Sequence, residues 1–154
     1  MQGPIITFES RSGWYGVRAA EVLEVAHLGR VRPVPHAPRI VAGLAEIHGR
    51  VVTLIDLDRL LEAGSGEGPA AGYGVVLAPP QDHLGILVRS ALDVARVGDE
   101  EKPEPPESGG LLLGCLPVGD RLLNLLSLPA LVSRVEEAIR EAFRPGRAGA
   151  GGEA

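Results

Sequence analysis

Two stretches of this chain, IVAGLAEIHGRVVTLIDLDRLL (40–61) and LLLGCLPVGDRLLNLLSLPALV (111–132), align without a gap. Gly43 falls on Gly114, Ile47 on Val118 and Arg50 on Arg121. The apolar pairs Val51/Leu122, Val52/Leu123, Leu54/Leu125 and Ile55/Leu126 coincide, and Asp56 falls on Ser127, both good helix caps. Upstream, YGVRAAEVLEV (15–25) matches LGILVRSALDV (84–94) at an offset two residues shorter. An internal repeat of this kind means that one supersecondary plan is used twice. Each copy reads as strand, turn, strand, irregular segment, strand, turn, strand and capped helix.

The strand signals are short apolar runs bounded by turn residues: IITFES (5–10), WYGVRA (14–19), RVVTLI (50–55), GVVLA (74–78), LGILVR (84–89) and RLLNLL (121–126). Asp56 caps a short helix in LDRLLEA. Ser127 caps a longer one over 128–144, with Leu131, Val135, Ala138, Ile139 and Ala142 on one face, which is expected to pack on the strands. Only 3% of residues are aromatic against 45% apolar, so the core has to be aliphatic. The expected fold is mainly β: two five-stranded barrels, a form whose closure removes exposed edges, with a short helix between them and a C-terminal α-helix. The expected boundaries are 1–62 for the first barrel, 63–72 for a linker, 73–144 for the second barrel with its helix, and 145–154 for a disordered tail. The barrels together form one domain and are free to exchange strands. A further acidic, Pro-rich loop is read at 98–110.

Chemistry is concentrated in AEIHGRVVTLID (45–56), where Glu46, His48, Arg50 and Asp56 stand close together. A Glu46–His48 pair facing one side of a strand could orient a general base for a small hydrolase. The second copy carries Pro117 and Gly119 at those positions, and a solvated hairpin tip is the simpler reading. His27, His36, His48 and His83 are scattered without ligand spacing, so no metal and no cofactor are expected. No GxSxG is present, Ser65 and Ser108 fall in linkers, and Cys115 lies in an apolar run as an inert core thiol. A net charge of -5 and five aromatic residues argue against nucleic acid as a partner. A lone cysteine, no signal-peptide pattern in MQGPIITFES and no apolar run long enough to span a bilayer make the cytoplasm the default compartment. A chain of this kind is expected to act by offering apolar surface to protein partners.

The ordered pattern in ITF and WYGVRAAEVLEV (6–25), PVPHAPRIVAGLAEIHGRVVTLIDLDRLL (33–61), LGILVRSALDVARV (84–97) and GLLLGCLPVGDRLLNLLSLPALV (110–132) resembles the CheW-like domain of bacterial chemotaxis coupling proteins. The resemblance covers roughly residues 5–135. It implies two five-stranded SH3-like barrels and an adaptor without catalysis. It also implies coupling of a chemoreceptor's cytoplasmic helical hairpin tip to the regulatory domain of a CheA-type histidine kinase, in arrays at the membrane. By position, the receptor-facing groove would include Val22, Glu24, Ile47, His48, Gly49 and Arg50, and the kinase-facing edge Ile6, Val17 and Ala20. Coupling proteins usually read Asn-Leu-Arg-Gly where this chain reads Glu46-Ile47-His48-Gly49. Thr53 replaces a common proline, and Arg89 replaces a frequent acidic residue. These departures point to a divergent copy, serving a specialised pathway without ordinary receptor binding, as the alternative.

Overall fold

The computed structural model describes residues 3–61, 72–89, 92–97 and 110–143. Ten strands follow in chain order: β1 (Gly3–Ser10), β2 (Gly13–Arg18), β3 (Val22–His27), β4 (Val41–Ile47), β5 (Arg50–Asp56), β6 (Tyr73–Leu77), β7 (Leu84–Val88), β8 (Asp93–Val97), β9 (Leu112–Val118) and β10 (Arg121–Leu126). Helix α1 (Leu57–Leu60) follows β5 and helix α2 (Leu128–Ala142) follows β10, while a single 3-10 turn, Ala19–Glu21, joins β2 to β3. Each half therefore holds five strands rather than four. The strands missing from the sequence reading are β3, VLEVAH, and its counterpart β8, DVARV; the residues of β3 alternate between half-buried and exposed as a one-sided strand should. The expected linker at 63–71, the acidic segment at 98–109 and the tail at 145–154 lie outside the described residues.

The strands form two five-stranded sheets with the orders β8-β1-β2-β10-β9 and β3-β6-β7-β5-β4. The two orders are the same plan. In each, an antiparallel hairpin (β1-β2 or β6-β7) is flanked on one side by an antiparallel strand and on the other by a parallel strand. That parallel strand continues into a second hairpin (β9-β10 or β4-β5). The copies interlock, because the first sheet takes β1 and β2 from the N-terminal half and β8, β9 and β10 from the C-terminal half. A cut of the chain at 63–72 consequently does not separate the two sheets. The crossover at Ala19–Glu21 carries the chain from the first sheet into the second immediately after β2.

The repeat shows in backbone detail as well. The Asp56 N–H donates to the Ile40 carbonyl at 2.8 Å, and its counterpart Ser127 donates to the Leu111 carbonyl at 2.7 Å. Both residues then cap a helix, Asp56 accepting from the Arg59 N–H and Ser127 from the Ala130 N–H. Gly43 and Gly114 both sit where the pairing of their hairpin shifts register. A Cβ on Gly43 would stand 2.3 Å from the Arg32 carbonyl oxygen. That close approach lets Arg32 and Leu44 exchange two backbone hydrogen bonds of 2.8 Å. The segment after β3 is thereby joined to β4, and the second sheet closes into a barrel.

Period-two alternation sorts the core into three parts. Val76 and Leu87 point into the second barrel with Ile47, Val52 and Leu54. Ile5, Leu116, Leu123 and Leu125 fill the first. The largest cluster lies between the barrels, where Phe8, Tyr15 and Val17 meet Val75, Leu77, Ile86 and Val88. Leu57 and Leu60 of α1 and Leu128, Leu131 and Val135 of α2 complete it. The long helix therefore packs on its own chain, as its apolar stripe predicts. Strand β7 is buried along its whole length because one face looks into a barrel and the other into this shared core.

Among the described residues, one charged group is wholly buried. The Asp56 carboxylate accepts from the Arg59 N–H at 3.2 Å and from Arg89 Nη2 at 2.8 Å. Two residues on, Asp58 accepts from the Ser10 hydroxyl at 2.7 Å and the Arg11 N–H at 3.1 Å, tying the β1-β2 turn to α1. Burial pushes the Asp56 carboxyl pKa up, but the Arg89 hydrogen bond, the Arg59 N–H and the two guanidinium charges outweigh it and hold the group below its ordinary value. A folded-state pKa below the unfolded one adds stability that is complete above about pH 4 and is lost as pH falls through the folded value. Asp56→Asn is expected to cost about 2 kcal/mol at pH 7. In urea unfolding the gap between wild type and variant should stay level down to about pH 5 and narrow below about pH 4. A gap undiminished at pH 3 would contradict this role for Asp56.

Candidate interaction surface

The tip of the β4-β5 hairpin is a two-residue turn, with Ile47 paired to Arg50 across it. His48 and Gly49 have φ of 50° and 78°, the left-handed geometry of a type I′ turn, whose twist matches the flanking strands. The conformation turns the imidazole out of the barrel, where it is 75% exposed, and brings Nδ1 to 2.6 Å from Glu24 Oε1 on β3. β3 and β4 are the two edge strands of their sheet, so this contact laces the barrel's seam beside the Arg32–Leu44 bridge. Arg50 leaves the turn in another direction and pairs with Asp82 in the β6-β7 connection. Glu46 is exposed and, with Arg30, Arg32 and Val51, lines an outer groove of about 520 Å³.

In the second copy the turn is Gly119-Asp120. Arg121, the counterpart of Arg50, reaches Glu9 Oε2 at 3.1 Å and lies 4.3 Å from the centre of the Trp14 ring. Both hairpin arginines thus brace the barrel wall. Glu24–His48 is a pair peculiar to the first copy.

Of the residues expected to face a receptor, the structure brings Glu24, His48 and Gly49 together at the seam, with Arg50 half-buried beside them. Val22 is half-buried against the core between the barrels. Ile47 is only 5% exposed and points into the second barrel, so it supports the turn from beneath and offers no contact surface. Of the kinase-facing set, Ala20 is exposed on the 3-10 turn and Ile6 is half-buried. Val17 is wholly buried in the shared core.

Val17, Ile6 and Val94 form one row across β2, β1 and β8. The row leads from the core to the sheet's edge, where Val94 is 57% exposed. Val94 is the surface residue that sequence reasoning passed over. Its place beside Ile6 depends on the strand exchange, which periodicity alone does not reveal.

The hydrolase pairing of Glu46 with His48 is not what the structure forms, because His48 bonds Glu24 at the opposite side of the seam. No group of three or more metal-ligating side chains occurs among the described residues. Cys115 is half-buried rather than core, and its thiol donates to Asn124 Oδ1 at 3.0 Å. Among the described residues no helix is long and apolar enough to cross a membrane.

The turn geometry makes a direct prediction. Gly49→Val should lose about 1–2 kcal/mol, because a β-branched residue is forced into left-handed backbone. His48→Asn should keep or raise the melting temperature, since Asn-Gly is the favoured type I′ pair. Unchanged stability in Gly49→Val would contradict the turn.

A family model described as the CheW-like domain matches residues 4–136. The chain is 30% identical over 111 residues to the chemotaxis protein CheW of Treponema pallidum, covering 69% of this chain and 65% of that relative. It is 27% identical to a probable chemotaxis protein CheW of Rhizobium etli, over 86% of this chain and 88% of the relative. Among solved structures, the scaffolding protein TtCheW of Thermoanaerobacter tengcongensis superposes with a TM-score of 0.69 at 20% identity, covering 83% of this chain and 86% of that one. That likeness supports the fold of two five-stranded, SH3-like barrels. With the family model spanning nearly every described residue, the chain belongs to the CheW-like domain family.

Proposed function

We propose that this chain is a non-catalytic adaptor that couples a chemoreceptor's cytoplasmic hairpin tip to the regulatory domain of a CheA-type histidine kinase. It would work in the cytoplasm, recruited to receptor arrays, and it needs no cofactor. The observation that carries the reading is the family match over residues 4–136, joined to relatives named as chemotaxis CheW proteins. The surface supports it. An apolar row that runs out of the core ends at the exposed Val94 on one barrel, and the Glu24–His48 seam lies on the other. Separate faces of this kind suit an adaptor, with apolar burial supplying affinity and rim charges setting partner choice.

A second reading, a scaffold without ordinary receptor contact, draws on one observation. Glu24, which the family pattern turns toward a receptor, is already engaged by His48.

Titration calorimetry with a receptor hairpin fragment and with the kinase regulatory domain tests both. Val94→Glu should weaken kinase binding about tenfold or more and leave receptor binding intact. Glu24→Lys should do the reverse. Kinase binding with no receptor binding at all supports the second reading. Failure of the wild-type chain to bind either partner contradicts the adaptor reading.

A further inference from the structure

The seam of the second barrel is closed by little backbone. Among the described residues its one bridge is the Arg32–Leu44 pair, which joins the segment after β3 to β4. A side-chain contact spans the same seam, from His48 Nδ1 to Glu24 Oε1 at 2.6 Å. Neither side chain has another hydrogen-bond partner among the described residues. The left-handed φ of 50° at His48 swings the ring off the hairpin tip, and β3 presents Glu24 to it. The other charged or titratable groups of the elements meeting here have different places. Arg50 is held by Asp82, with the exposed His83 beside it in the β6-β7 connection. Glu46, Arg30 and Arg32 line the outer groove, and His27 of β3 stands edge-on to the Tyr73 ring.

The second copy is built without this contact. Glu24 aligns with Asp93 and His48 with Gly119, and the Asp93 carboxylate accepts from the Val94 N–H at 2.7 Å. The pair is therefore an addition to the barrel plan rather than a requirement of it. A histidine takes up its charge in the mildly acidic range, where a glutamate is still ionised. There the contact is an ion pair reinforced by a hydrogen bond, whereas a neutral ring keeps the hydrogen bond alone. We propose that Glu24 and His48 form a proton-operated latch on the second barrel, tight in mildly acidic and loose in mildly alkaline solution. His48 is 75% exposed, so water screens the pair, and the latch biases opening of the seam a few-fold. It acts within this chain, whichever partner the chain serves.

Amide hydrogen exchange on the full chain tests the latch, with rates corrected for the intrinsic effect of pH. Protection of the Arg32 and Leu44 amides should be about two- to fivefold higher at pH 5.5 than at pH 8. That difference should vanish in Glu24→Gln and in His48→Asn, and it should shrink in the wild type at about 1 M NaCl. A wild type without the difference, or either variant keeping all of it, overturns the proposal.

Discussion

The exchange of strands between the two sequence copies is the constraint on which the rest of the structure depends. Each barrel is completed by strands from the other half, so neither half can form a closed sheet from its own residues. The consequence is energetic as well as topological. The largest apolar cluster lies between the barrels and draws on both sheets and both helices. Opening one barrel removes one wall of that cluster, so the two barrels are expected to unfold as one cooperative unit. Such a joined pair suits the proposed coupling role.

Charge reinforces the same joint. Asp56 ends β5, caps α1 and binds Arg89 at the end of β7, while Asp58 reaches the β1-β2 turn of the other sheet. The resemblance marked Arg89 as a departure, an arginine where an acidic residue is frequent. The structure gives it a physical reason, since an acidic group there would stand beside the wholly buried Asp56.

Much of this was legible in the residues. The ungapped repeat announced two modules of one design, and the paired caps Asp56 and Ser127 take the roles their alignment implied. Which strands would pair was not legible, because a repeat satisfies its hydrophobic pattern equally well within a copy or across copies. That ambiguity hid the Val17–Ile6–Val94 row. The burial of Val17 and Ile47 was hidden for a different reason. Position in a family motif indicates where a residue lies along the chain, and burial is decided by strand parity. Along β4, Val41, Gly43, Ala45 and Ile47 share the buried face, so parity alone placed Ile47 inside and Glu46 outside. His48 was read correctly as a turn residue, but its bond to Glu24 joins edge strands that meet only when the barrel closes.

The central claim is that one interlocked pair of barrels transmits a receptor's state to a kinase. The most direct measurement is the autophosphorylation rate of the CheA-type kinase on membranes carrying its receptor, with and without this chain. The account predicts that receptor control of the rate appears only when the chain is present, and that it disappears with Val94→Glu. Receptor control of equal size without the chain, or a chain that leaves the rate unchanged, would contradict it.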